Sequence, residues 1–169
     1  PVVEYLHKCG FPYVLIGKAC QCPEETSYVD NDNMMAAREA VEYLIRLGHQ
    51  RIGYLSSDHS LLFAADRRKG YLAALEEYEL PIVDEYCIET SSCPQEDRPA
   101  ILRLLEREDR PTAFLVSDDI LATILERICS KLGLFIPDDL SVISFNNSLL
   151  AQLGSPGLTS VDINSRKLG

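Results

Sequence analysis

The chain has 169 residues, 46% apolar and 25% charged, with 16 basic against 26 acidic side chains and a net charge of −10 at neutral pH. That length buries a real core, as one domain or two small lobes, in a composition ordinary for a soluble globular protein. The acidity argues against DNA binding by this chain alone, because phosphate contacts need a basic face. No apolar run approaches a bilayer span and no basic segment precedes an apolar one as in an export signal, so the chain reads as cytoplasmic and free of the membrane.

In chain order, a helical fragment from Val2 to Cys9 comes first, followed by β-branched runs at 13–17 and 28–29 that suit strands. Asn33 begins a helix with Ala37, Val41, Leu44 and Ile45 on one face, and Gly48 ends it as a C-cap. A strand at 51–55 and a loop at 56–63 lead into a helix from about Ala64 to Tyr78, with Tyr71, Leu72, Leu75 and Tyr78 on one side. Strands at 86–89 and 112–116 precede a helix carrying Leu121, Ile124, Leu125, Ile128 and Leu132, closed by Gly133 and followed by Pro137. Strands at 141–145 and 159–163 and the start of a helix at Leu168-Gly169 complete the chain. Alternation of this kind predicts parallel strands joined by right-handed crossovers. The first helix has no strand before it to pack on, so the chain reads as a fragment of a longer protein.

Six cysteines at irregular spacing, among them Cys9 and Cys129, read as incidental or buried thiols. Cys20-Gln21-Cys22 is the one close pair, and without a second pair or a nearby His it makes a poor metal site, so neither metal nor cofactor is expected. G-x-G-x-x-G, phosphate-loop, G-x-S-x-G and H-x-x-x-H patterns are missing, which argues against an enzyme. His7, His49 and His59 are scattered; His49, between a helix and a strand, is expected to make a structural hydrogen bond.

Four segments fall where strands meet helices: Val29-Asp30-Asn31, the run from Leu47 to Gly53, Arg67-Arg68-Lys69-Gly70-Tyr71, and the run from Ser141 to Asn147. In open α/β sheets, ligands bind at the carboxyl ends of strands. In order and spacing these segments resemble the effector-binding region of the lactose-repressor (LacI/GalR) family of bacterial transcription regulators, from about Pro12 to Gly169. The resemblance implies an α/β, type I periplasmic-binding-protein-like fold of two lobes, each a parallel sheet flanked by helices. Residues 1–30 would belong to the amino-terminal lobe, 31–162 to the carboxyl-terminal lobe, and 163–169 to the return into the first. It further implies a homodimer that reads operator DNA through a helix-turn-helix headpiece outside this chain and answers to a small-molecule effector. The run from Ser144 to Ser148 is most similar to maltose-operon repressors of Gram-positive bacteria, which makes maltose or a maltodextrin the expected sugar. A sugar-binding protein of a transporter and a sugar-processing or flavodoxin-like enzyme are the rival readings.

The resemblance also assigns residues. By composition Arg67, opening its helix, reads as a solvated charge; in the family's Arg-x-x-Gly pattern it grips the effector, with Gly70 as a close-packing glycine. A guanidinium there can hold two vicinal hydroxyls or a carboxylate in one orientation. Asp118 and Asp119 read either as two acids at a helix start or as a ligand-facing Asp118 with Asp119 as the cap. Asn146 stands where the family usually has Asp, which favours a neutral polyol; otherwise it belongs to a polar turn. Phe63, in the loop with Leu61 and Leu62, either stacks on a sugar or seals the loop. Asp30 would touch ligand or hinge.

Overall fold

Strands with an apolar residue at nearly every position need cover on both faces, and this chain supplies it with helices. The structure, a computed structural model, describes residues 2–19, 23–58, 61–90 and 94–168; the Cys20-Gln21-Cys22 pair, His59 and Gly169 lie outside the described residues. The chain divides into two compact units, Pro1–Asp32 with Asn164–Gly169, and Asn33–Ile163.

The first unit holds α1 (Val2–Lys8), β1 (Leu15–Ile16) and β2 (Tyr28–Val29). The two strands pair in parallel, Leu15 opposite Tyr28, so the run at 13–17 contributes only two residues to a strand. The second unit runs α2 (Asn33–Arg46), β3 (Ile52–Ser56), α3 (Leu62–Glu77), β4 (Cys87–Glu89), α4 (Pro94–Leu105), β5 (Ala113–Val116), α5 (Asp119–Lys131), β6 (Ser141–Phe145), α6 (Leu149–Leu153) and β7 (Thr159–Val161). The chain then re-enters the first unit with α7 (Ser165–Leu168).

Alternate residues of each strand divide between two cores. Ile52, Tyr54, Ala113, Leu115, Ile143 and Phe145 pack with the apolar faces of α2 and α3, while Leu55, Phe114, Val116 and Val142 pack with those of α4 and α5. Tyr54 and Tyr71 stack with ring centroids 5.2 Å apart and donate to the carbonyls of Ala64 and Ile52, which seats α3 on β3. Burial pushes the Tyr54 hydroxyl up to about 12. Gly70 lets α3 reach α2: a Cβ there would lie 2.1 Å from the Met34 carbonyl oxygen. Gly48, at φ 95°, ends α2 as expected, with the His49 amide returning to the Leu44 carbonyl.

All five strands are parallel, in the order β4-β3-β5-β6-β7. The chain leaves β3 outward to β4 and returns past it to β5, so the connections reverse direction between β3 and β5. Right-handed crossovers in opposite directions put α3 and α4 on opposite faces. Helices α4 and α6 lie outside the sequence expectation. Pro99 interrupts the helical signal of α4, which is held by the buried Ile101, Leu104 and Leu105; α6 is five residues long with only Ala151 buried.

At the amino ends of the strands His49 makes the structural bonds expected of it, Nδ1 to Thr112 Oγ1 at 2.9 Å and Nε2 to Ser141 Oγ at 3.0 Å. Burial holds its pKa below the ordinary 6.5. Cys9, Cys87 and Cys129 are free thiols. Among the described residues no three His, Cys, Asp or Glu side chains gather as metal ligands, and no helix is long and apolar enough to cross a membrane.

Candidate functional site

The connections reverse between β3 and β5, and the carboxyl ends of strands at such a reversal are the place where doubly wound sheets bind ligands. Ser117 follows β5 there: its amide donates to the Leu55 carbonyl, and its Oγ accepts from the Ser57 amide at 2.9 Å. Arg67 reaches the same point from α3. It is 3% exposed, and it lies in the second helical turn rather than opening the helix. Phe63 is likewise not in the loop but in the first turn of α3, because Phe63, Arg67 and Tyr71 at i, i+4 spacing carry the buried face back one turn.

The Arg67 guanidinium is gripped on several sides. Nε donates to Asn33 Oδ1 at 2.9 Å, Nη1 donates to the Ser117 carbonyl, and Cζ lies 4.0 Å from the Phe145 ring centroid and 5.0 Å from that of Phe63. A buried cation is tolerated when neutral acceptors and aromatic faces replace its water, and this arrangement supplies both. The solvated-charge reading of Arg67 therefore does not hold.

Of the two acids after Ser117, Asp118 and not Asp119 takes the capping role. Asp118 is the cap of α5: its backbone is extended at φ −160°, and its Oδ1 accepts from the Leu121 amide at 2.9 Å. Its Oδ2 accepts from Ser117 Oγ at 3.1 Å. Asp119, the first helical residue, is 2% exposed and accepts from Ser144 Oγ at 2.6 Å, Ser160 Oγ at 2.7 Å and the Ser148 amide at 2.7 Å. Burial pushes its carboxyl upward, but the hydrogen bonds from Ser144, Ser160 and Ser148 outweigh that and hold it below the ordinary 3.8. One carboxylate thus joins α5 to β6, β7 and the segment after β6.

That segment carries Asn146 at φ 99° and Asn147 at φ 45°. Asparagine is among the few non-glycine residues that adopt this region readily, so the backbone supplies a reason for the pair independent of any ligand. The Asn146 amide donates to the Val161 carbonyl at 2.9 Å and the Asn147 amide to Ser160 Oγ at 2.9 Å. The half-buried Asn146 side chain has no hydrogen-bond partner among the described residues.

The structure brings Phe63 and Arg67 into contact, with Asp118 one residue from Ser117 and Asn146 one residue from Phe145. Asp30 belongs to the other unit, where its Oδ1 accepts from the Asn31 amide at 2.8 Å. Asn33, Ser117, Phe145 and Asp119 were not read as parts of the site. Asn33 was legible only as a helix start, and nothing local in the sequence links it to Arg67.

Residues 41–169 match the family described as a periplasmic binding protein-like domain. The HTH-type transcriptional regulator MalR of Staphylococcus xylosus is 30% identical over 169 residues, covering 100% of this chain and 49% of its own length. The crystal structure of a LacI transcriptional regulator from Bacillus cereus subsp. cytotoxis has a TM-score of 0.89 at 39% identity, over 99% of this chain and 60% of that one. A complex of the transcriptional regulator CelR with cellobiose has a TM-score of 0.88 at 26% identity, over 99% and 52%. The chain spans about half the length of the curated relatives it matches, which are regulators and not enzymes. The chain belongs to the periplasmic binding protein-like family, and the relatives and solved structures it resembles are regulators of the LacI type.

Proposed function

We propose that this chain is the sugar-sensing part of a LacI-type repressor, with Phe63, Arg67, Asp118 and Asn146 lining the effector site and Asp30 acting beside the crossover. The observation that carries this reading is Arg67, buried at the point where the sheet's connections reverse and held in one plane by Asn33 and the Ser117 carbonyl. A fixed planar fork suits paired hydroxyls, and the uncharged Asn146 amide both donates and accepts, which suits a neutral polyol. Maltose or a maltodextrin is the proposed effector, supported by the MalR relative and by the disaccharide in the CelR complex. The full-length protein would act as a homodimer on a palindromic operator, reached through its headpiece. Residues 1–30 and 163–169 are proposed for the amino-terminal lobe and 31–162 for the carboxyl-terminal lobe. Effector control then equals the difference in sugar affinity between the operator-bound and released states.

A thermal and chemical denaturation series on the full-length protein with maltose, maltotriose, cellobiose and a purine tests the reading. The cognate sugar at ~100 times its dissociation constant should stabilise by about 2.7 kcal/mol. Stabilisation by the purine alone, or turnover of a sugar, would overturn it.

A further inference from the structure

We infer that Asn33 is a positioning residue for Arg67 and ties its guanidinium to the crossover between the two units. The inference rests on Arg67 as the effector-gripping residue and adds how its state is passed on. Asn33 is the first residue of the second unit, bonded directly to Asp32, the last residue of the first segment of the other. An asparagine at a helix start ordinarily serves the backbone one turn ahead. Here Oδ1 accepts from a side chain 34 residues away, and both partners are buried.

The bond is directional. Nε carries one proton, which lies in the guanidinium plane, so the group accepting it sets the rotation of that plane. The Nη1 bond holds another edge at the end of β5, and the Phe63 and Phe145 rings lie against Cζ. Of these four neighbours, Phe63 is on α3, Ser117 and Phe145 are at strand ends, and Asn33 is the one next to the crossover. A ligand that turns or draws the guanidinium strains or releases Asn33, and by linkage a movement of the crossover changes how well Arg67 is set for ligand.

The test uses the full-length protein with Asn33→Ala, Asn33→Asp and Arg67→Lys. Isotope-edited NMR follows solvent exchange of the Arg67 Nε proton, whose signal is assigned by its loss in Arg67→Lys. Exchange should quicken about tenfold or more in Asn33→Ala and stay near the wild-type rate in Asn33→Asp, which keeps the acceptor. An unchanged rate in Asn33→Ala overturns the positioning role. Backbone amide exchange at residues 30–34 reads the tie in the other direction: in Arg67→Lys, which cannot make the Nε bond, it should rise about fivefold or more. No change there overturns the link to the crossover. Neither measurement needs a sugar. A wild type that shows both signatures yet binds no sugar would sink the effector reading and leave the role of Asn33 standing.

Discussion

The two ends of the five-stranded sheet solve the same problem with different chemistry. At the amino ends, His49 bridges Thr112 and Ser141 with neutral groups on both sides. Hydroxyls donate or accept as needed, so the latch adapts to either ring tautomer. At the carboxyl ends, a cation and a carboxylate are almost wholly buried, Arg67 among Asn33, Ser117 and two rings, Asp119 among Ser144, Ser148 and Ser160. The turn at Asn146 and Asn147, with both residues at positive φ, is at this end too. A neutral latch loses one bond at a time, whereas deleting a buried charge strands every group arranged around it. The carboxyl end is therefore the costlier to build and the better preorganised, as a binding site requires.

The largest expected effect is at that end. Arg67→Ala should weaken sugar binding by about 2–5 kcal/mol in titration calorimetry, the usual cost of truncating a buried charge-assisted contact. An unchanged dissociation constant would reduce Arg67 to a packing residue and erase the contrast between the two ends. Asp119→Ala should lower stability by about 3 kcal/mol in urea denaturation, since two serine hydroxyls and one amide lose their common acceptor. Asn146→Asp should reduce sugar affinity by about tenfold, because it replaces an amide donor with a charged group that only accepts. Operator release measured by fluorescence anisotropy would then need more sugar, and a mutant that responds at the same or lower concentration would remove Asn146 from the effector contacts.

The smallest effects belong to the amino end. Ser141→Ala removes one neutral bond and should cost about 1 kcal/mol. Because burial lowers the folded pKa of His49 beneath its unfolded value of 6.5, the unfolded chain takes up a proton first as pH falls. Its contribution to stability is present above that pH and declines below it. Wild-type protein should lose more stability than His49→Gln between pH 7.5 and pH 5.5, about two units chosen to span the ordinary histidine value; equal losses would show that His49 does not titrate differently on folding.

Much of the scaffold was legible in the residues themselves. Because periods of two and 3.6 are written in adjacent residues, alternating strands and helices implied parallel pairing and Gly48 marked the end of α2. Three of the four quoted segments fell at strand and helix junctions, the run from Arg67 to Tyr71 lying instead inside α3. The start of α3 was misjudged because three apolar residues, Leu61 to Phe63, were taken for a loop, although Leu61 is the exposed cap and Leu62 and Phe63 are the first half-buried residues of the helix. Helix α4 was missed because its interior proline hides a packing face confined to its last turns.

The sequence by itself thus determined the order of the strands, the two-faced burial of the sheet and which polar residues stand near strand ends. Only the tertiary structure decided what those residues do. Arg67 meets partners 34 and 50 positions away, and Asp119 meets serines 25, 29 and 41 positions away, separations at which no local period carries information. Which of two adjacent aspartates caps α5 was settled by one extended backbone at Asp118, which leaves Asp119 inside the helix with its carboxylate bonded to Ser144 of β6 and Ser160 of β7.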